Sequence, residues 1–299
     1  MKCSDCTNPA VTYKRYEGRA LCDEHFIQTF EARVKKTIRE ERLIEPGDRV
    51  CVALSGGKDS SVALTILHNV LKDWRDTELF ALLIDEGIEG YRNESLEIAE
   101  KLCSSLGVTL HIARFKETVH KTMDEIMEEK KFPCTYCGVF RRDLLNSKSR
   151  ELGATKLATG HNMDDELQSA FMNYFRLDMN KASRLGAIAQ KNELFVQRIK
   201  PLRYLPEHDV GLYAVLKGLD VHETECPYAN NSLRFHVRDF LNKMEEKYPG
   251  IKFSAMHAYD SLLGMLRSSV VKEINRCECG EATAGTKCRK CELLATLKT

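Results

Sequence analysis

No apolar run in this sequence approaches the roughly 18 residues that a membrane-spanning helix requires, and the N-terminus has no signal-peptide core. A helical membrane protein is excluded, a secreted one is not expected, and the expected location is the cytoplasm. Charge of one sign is also missing. The 45 Lys+Arg against 44 Asp+Glu leave +1, so any polyanionic partner must be met by local basic patches. There is one tryptophan, there are seven prolines, and no internal repeat or low-complexity tract is present. With 43% hydrophobic and 30% charged residues, the 299-residue chain reads as folded, in about two domains.

Cysteine is what the sequence has in excess. Of twelve, only Cys51 and Cys103 stand alone, and they read as buried small hydrophobes. Close cysteine pairs in a chain without a signal peptide read as metal ligands or redox centres rather than a disulfide framework. Cys3-x-x-Cys6 and Cys22-x-x-His25 match a Cys₃His zinc knuckle. Cys277-x-Cys279 and Cys288-x-x-Cys291 suggest a Cys₄ site, although the tight CxC is expected to strain its first knuckle. Two Zn²⁺ at these ends would supply folding energy rather than catalysis, since no ligand position is open.

The middle set is different. Pro133-Cys134-Thr135-Tyr136-Cys137 carries a CxxC, and Glu225-Cys226-Pro227-Tyr228 carries one further cysteine. Three thiolates leave a metal site one ligand short. Three readings stand level on spacing alone: an iron–sulfur cluster with an open iron, a CxxC redox pair forming a persulfide or transient disulfide, and a zinc site completed by a histidine.

Residues 1–27 read as the N-terminal metal-held module. Residues 28–46 read as a linker helix, with Phe30, Val34 and Ile38 at helical spacing before Pro46-Gly47. From Arg49 short apolar runs alternate with helical stretches. Strands are expected at Val50–Leu54, Leu79–Ile84, Val108–Ala113 and Lys156–Thr159, and helices at Ser60–Leu71, Glu94–Leu106 and around Gly138–Leu152. The fold class is therefore α/β, a parallel sheet with helices on both faces, spanning 47–225. Residues 198–205 read as an edge segment. Helices are expected at 207–219, 233–246 and 254–273, the latter two in a helical extension over 226–274, and a second cysteine module occupies 275–299.

Ligands of such sheets bind beyond the carboxyl ends of the strands. There the sequence has Ser55-Gly56-Gly57-Lys58-Asp59-Ser60 after a buried strand and before a helix. Paired glycines let the backbone approach a phosphate, the helix start offers free N–H groups, and Lys58 adds a full charge. It is not a Walker loop, which needs Gly where Val52 stands. SGGKDS resembles instead the PP-loop of ATP pyrophosphatases, although a Gly-rich turn with a serine helix cap is the bland alternative. Ile84, at the end of the second strand, is placed to hold adenine. Gly160 offers a close backbone in Gly160-His161-Asn162-Met163-Asp164-Asp165, Asp165 is a candidate for Mg²⁺, and Asn162 and Asp164 read equally well as plain helix caps.

With SGGKDS, PCTYCG, GHNMDDE, ECPY and both terminal cysteine modules in order, the chain resembles a tRNA 2-thiouridine synthetase of the TtuA/NcsA type over essentially its whole length. The resemblance implies an adenine-nucleotide α-hydrolase-like fold and an ATP- and Mg²⁺-dependent tRNA sulfurtransferase. It implies a [4Fe–4S] cluster on Cys134, Cys137 and Cys226. It also implies ATP contacts at Ala53, Leu54, Ser55, Gly56, Gly57, Lys58, Asp59, Ser60, Ile84 and Gly160, with Arg141 and Asp165 beside the nucleotide. The implied partners are tRNA, a sulfur donor (sulfide or a ubiquitin-like thiocarboxylate) and a second copy of the chain. The alternatives are thiolation through a cysteine persulfide and another PP-loop AMP-forming synthetase. The CxC at Cys277 departs from the family's usual CxxC.

Overall fold

The computed structural model describes residues 1–130, 133–228, 233–269 and 274–297. A small antiparallel hairpin, β1 (Thr12–Lys14) and β2 (Arg19–Leu21), leads into helix α1 (Asp23–Glu40). The helix starts ahead of the expected residue 28 because Asp23 and Glu24, directly after Cys22, occupy its first turn. Nor is it a free linker. Phe26, Phe30, Val34 and Ile38 are buried, and Phe30 stacks on Tyr213 with centroids 4.4 Å apart.

The central unit then follows in chain order: β3 (Arg49–Ala53), α2 (Lys58–Leu71), β4 (Glu78–Asp85), α3 (Arg92–Leu106), β5 (Thr109–Arg114), and short helices α4 (Phe115–Thr118) and α5 (Met123–Glu129). It continues with α6 (Pro133–Glu151), β6 (Lys156–Ala158), α7 (Met163–Phe175), α8 (Met179–Ala182), β7 (Gln197–Ile199) and α9 (Glu207–Leu216). Strand order is β5-β4-β3-β6-β7, every neighbouring pair parallel. The apolar runs were legible because these strands are covered on both faces: Val50 and Val52 pack on one side, and Cys51 and Leu157 on the other. Cys51 and Cys103 are buried, which pushes the first thiol up to about 12 and the second to about 11.

Helices α10 (Leu233–Lys247) and α11 (Ile251–Ser269) pack beside α7 around Met163, Leu167, Val237, Leu241 and Met256. Residues 226–228 are not helical, and 270–273 of the expected last helix lie outside the described residues. The chain closes with β8 (Asn275–Arg276), β9 (Ala282–Thr283) and α12 (Arg289–Leu297), where Leu293 and Leu297 are buried in the core of α6.

A buried ionic network ties these parts together. Arg203, 1% exposed, binds Glu166 through Nε at 3.0 Å and grips Asp260 at 2.6 and 2.9 Å. Lys200 reaches the other Glu166 oxygen at 2.5 Å. The hydroxyl of Tyr204 donates to Asp260 or Glu41, at 3.0 and 2.8 Å.

Candidate active site

The strand order reverses between β3 and β6, so the loops leaving these neighbours diverge and open a crevice at the carboxyl edge. Ser55–Gly57 fill one side and residues 159–162 the other. Gly56 has φ +82°, and a Cβ there would lie 2.7 Å from the Ser95 carbonyl oxygen. A Cβ on Gly160 would lie within 2.7 Å of the Asp59 and Ser60 backbone. Glycine at 160 is what lets the second loop close onto the first turn of α2.

Ser60 is not the helix cap. The cap position belongs to Gly57, which makes no side-chain cap bond, so the first N–H groups of α2 are left for an anion. The Ser60 hydroxyl organises the loop, accepting from Ser55 N at 3.1 Å and donating to the Gly57 carbonyl at 2.9 Å. Leu54 is buried and its N–H donates to Leu82 O at 3.0 Å, which keeps Ala53 and Leu54 in the sheet. Ile84 is likewise buried at the end of β4.

Lys58 Nζ lies 3.2 Å from Asp59 and 2.9 Å from Glu207 at the start of α9. Burial works against its charge, but the two carboxylates outweigh it and raise its pKa. Glu207 competes for the cation that a phosphate would use. Both side chains are more than a third exposed, so the pair is worth only a few tenths to 1 kcal/mol. Glu207→Gln is therefore expected to tighten ATP binding roughly two- to fivefold by calorimetry; unchanged or weaker binding would give Glu207 another role.

Asn162 caps α7 in a capping box with Asp165: Asp165 N donates to Asn162 at 3.1 Å and Asn162 N to Asp165 at 3.2 Å. Asn162 also donates to Asp59 Oδ1 at 3.0 Å, drawing the two loops together. The second Asp165 oxygen faces Arg234 at 3.3 Å. Burial raises the pKa of both Asp59 and Asp165. Asp164 is no cap: it is buried against Lys252 and accepts from Glu207 N at 2.7 Å.

The cysteine triplet is joined to this crevice by one chain of contacts. Ser55 O accepts from Arg92 at 3.3 Å, Arg92 pairs with the fully buried Glu86, and the free Glu86 oxygen faces Arg141 at 3.7 Å. Arg141 stands one turn beyond Cys137 on α6. From the other direction, His222 N donates to Gly56 O at 2.9 Å, just before Cys226, and Cys134 donates to Tyr228 O at 3.5 Å. Burial pushes the Cys137 thiol up to about 11, opposite to what a reactive redox cysteine needs. Glu86, Arg92 and Glu207 were missed in the sequence. The signal for Glu86 was its place after a buried strand's carboxyl end, but nothing local marks an acid as buried.

At both ends the ligands converge. Sulfur and nitrogen atoms of Cys3, Cys6, Cys22 and His25 lie within 4.8 Å of one another, as do the sulfurs of Cys277, Cys279, Cys288 and Cys291. Burial raises the Cys3 thiol, but N–H groups of Asp5 and Cys22 outweigh it and bring it down to about 6. Backbone bonds from Cys279 and Cys288 bring Cys277 to about 6. These donor sets fit Zn²⁺. Directly after the CxC, Gly280 at φ +86° turns the chain between β8 and β9, its N–H donating to Cys277 O at 2.8 Å. Cys134, Cys137 and Cys226 do not form such a tight group among the described residues. Tetrahedral zinc would need sulfurs about 3.8 Å apart. A cubane spreads its ligands over separate iron corners, so the wider triplet suits a cluster better.

A doubly wound parallel sheet with a glycine-paired anion loop at its switch point defines a PP-loop ATP-binding protein. Residues 26–245 match the PP-loop domain family, and residues 2–27 match the N-terminal LIM domain of 2-thiouridine synthetase TtuA. The "tRNA 2-thiolation protein NcsA" of Haloferax volcanii is 39% identical, with 100% of this chain and 99% of that protein covered. The "tRNA-5-methyluridine(54) 2-sulfurtransferase" of Pyrococcus horikoshii is 34% identical over 98% of this chain and 93% of its own. A solved structure, the "U34-tRNA thiolase NcsA from Methanococcus maripaludis with its [4Fe-4S] cluster", superposes with a TM-score of 0.87. It is 35% identical, and the match covers 99% of this chain and 96% of that one. The chain belongs to the tRNA 2-thiouridine synthetases of the TtuA/NcsA type, a family of tRNA sulfurtransferases.

Proposed function

We propose that this protein converts a tRNA uridine to 2-thiouridine in two steps at the one crevice. The uracil O2 attacks the α-phosphorus of ATP, the bond to pyrophosphate breaks, and an O-adenylated uridine forms. A sulfur nucleophile then attacks C2, and AMP departs with the former O2. The free N–H groups of α2 and Lys58 take the β,γ-phosphates and stabilise charge that develops as pyrophosphate leaves. Asp59 and Asp165 would hold Mg²⁺, which favours carboxylates with phosphate oxygens. Arg141, 3.7 Å from Glu86 and one turn beyond Cys137, would stand beside the nucleotide.

Cys134, Cys137 and Cys226 would hold a [4Fe–4S] cluster, which when bound supplies an iron with a free position for sulfur. The observation that supports this reading is the contact chain Ser55–Arg92–Glu86–Arg141, which runs from the phosphate loop to the helical turn after Cys137. Water must stay out of the reacting crevice, since hydrolysis of the adenylated base returns uridine.

Protein purified without oxygen is expected to be brown, with about four irons and four labile sulfides per chain. Given ATP and sulfide, it is expected to raise 2-thiouridine in digests of unmodified tRNA analysed by mass spectrometry. A colourless but active preparation would overturn the cluster; an iron-loaded one that leaves tRNA unchanged would overturn the reaction.

A further inference from the structure

Helix α6 and edge strand β7 carry two arginines, Arg142 and Arg198, that make no ion pair among the described residues. Asn146 of α6 clamps the segment before β7: its side chain accepts from Val196 N at 3.0 Å and donates to Leu194 O at 3.0 Å. Arg142 lies one turn before Asn146, on the side of the cysteines. In β7, Arg198 is in register with Leu157, so the two side chains share a sheet face. Leu157 packs there with Phe140 and Leu144 of α6. Helix and edge strand thus bring Arg142 and Arg198 to one place.

Among the described residues neither guanidinium has an ion pair or a hydrogen bond, unlike Lys200, Arg203 and Arg234 nearby. Burial and then the neighbouring Arg142 charge lower the pKa of Arg198, while burial and then Arg141 lower that of Arg142. Arg142 is exposed and Arg198 half-buried, so the two like charges stand where an anion from solvent could reach and bridge them. Cys137 is the group of opposite sign that acts on Arg142, and the PP-loop has its own donors for the nucleotide.

From this juxtaposition we infer that Arg142 and Arg198 form a phosphodiester clamp for the tRNA backbone beside the target uridine. The inference rests on the tRNA reading above and sharpens it. Position supports RNA over ATP: Arg142 follows Cys137, where the base must arrive, whereas the ATP phosphates belong at the start of α2. Two guanidiniums also suit the forked geometry of a phosphate better than point charges would. They fix the strand and leave the base free to be splayed out.

The test uses the full-length cluster-loaded protein, an in vitro transcribed tRNA as probe, and ATP in a separate titration. Arg142→Gln and Arg198→Gln are each expected to weaken tRNA binding roughly tenfold. Each should also lower the slope of log affinity against log salt by about one. ATP affinity should stay the same and thermal stability should equal or exceed wild type. Arg142→Lys should lie between, keeping the charge but losing the fork. Lost ATP affinity with intact tRNA binding would reassign the pair to the nucleotide. Unchanged binding of both, or a destabilised Arg142→Gln, would overturn the clamp. Wild type that binds no tRNA at all would sink the tRNA reading itself and the clamp with it.

Discussion

Cys226→Ser is expected to abolish tRNA thiolation, by more than roughly 100-fold, while ATP binding survives. Cys226 sits in an irregular segment whose backbone touches the phosphate loop through His222 N and Gly56 O. Exchanging sulfur for oxygen at 226 leaves that bond in place and removes one of three soft ligands. Lys58→Ala is the complementary change. It removes the cation aimed at the leaving phosphates, so ATP affinity should fall by about 10- to 100-fold while iron content stays at the wild-type level. Iron and sulfide content, ATP calorimetry and tRNA nucleoside analysis on both variants separate the roles. Parallel loss of every readout in both would mean that the chain had merely misfolded.

Arg203→Ala is expected to be the most destabilising single change in the central unit. Its guanidinium is wholly buried and bridges Glu166 of α7 to Asp260 of α11. Truncation leaves a cavity and two carboxylates short of their cation, one of them, Glu166, deeply buried. Removing one partner of a buried pair costs about 3–5 kcal/mol, which in a chain of this size is a fall of roughly 6–15 °C in Tm. A scanning calorimetry shift within a degree or two would show that water reaches and solvates these carboxylates. Read from the letters alone, Arg203 looks as free to meet an RNA phosphate as its neighbours; its burial takes it out of that set.

That misreading marks where the sequence stopped being legible. Strands were placed to within a residue or two because Val50–Leu54 and Leu79–Ile84 are continuously apolar, and only a doubly covered sheet makes such runs. The phosphate loop was legible because its chemistry is local: strand, two glycines, lysine and helix follow one another. Helix α1 was shifted because the knuckle and the helix share Cys22 and His25, so no composition break falls between them. Charge partners were the least legible. Arg203 and Arg142 look alike in a string of letters, yet one is locked between two acids and the other faces a second arginine. The difference is set by contacts across tens of residues, 37 and 57 positions away for Arg203.

Helix α9 gives the N-terminal knuckle a bearing on catalysis that distance alone would hide. Lys14, in the first hairpin, is buried against Asp209 at 3.0 Å, and Tyr16 donates to the same carboxylate at 3.3 Å. Two residues earlier on that helix, Glu207 holds Lys58. Knuckle and phosphate loop are therefore bolted to the same first turn of one short helix, and whatever slackens the first frees the second to drift.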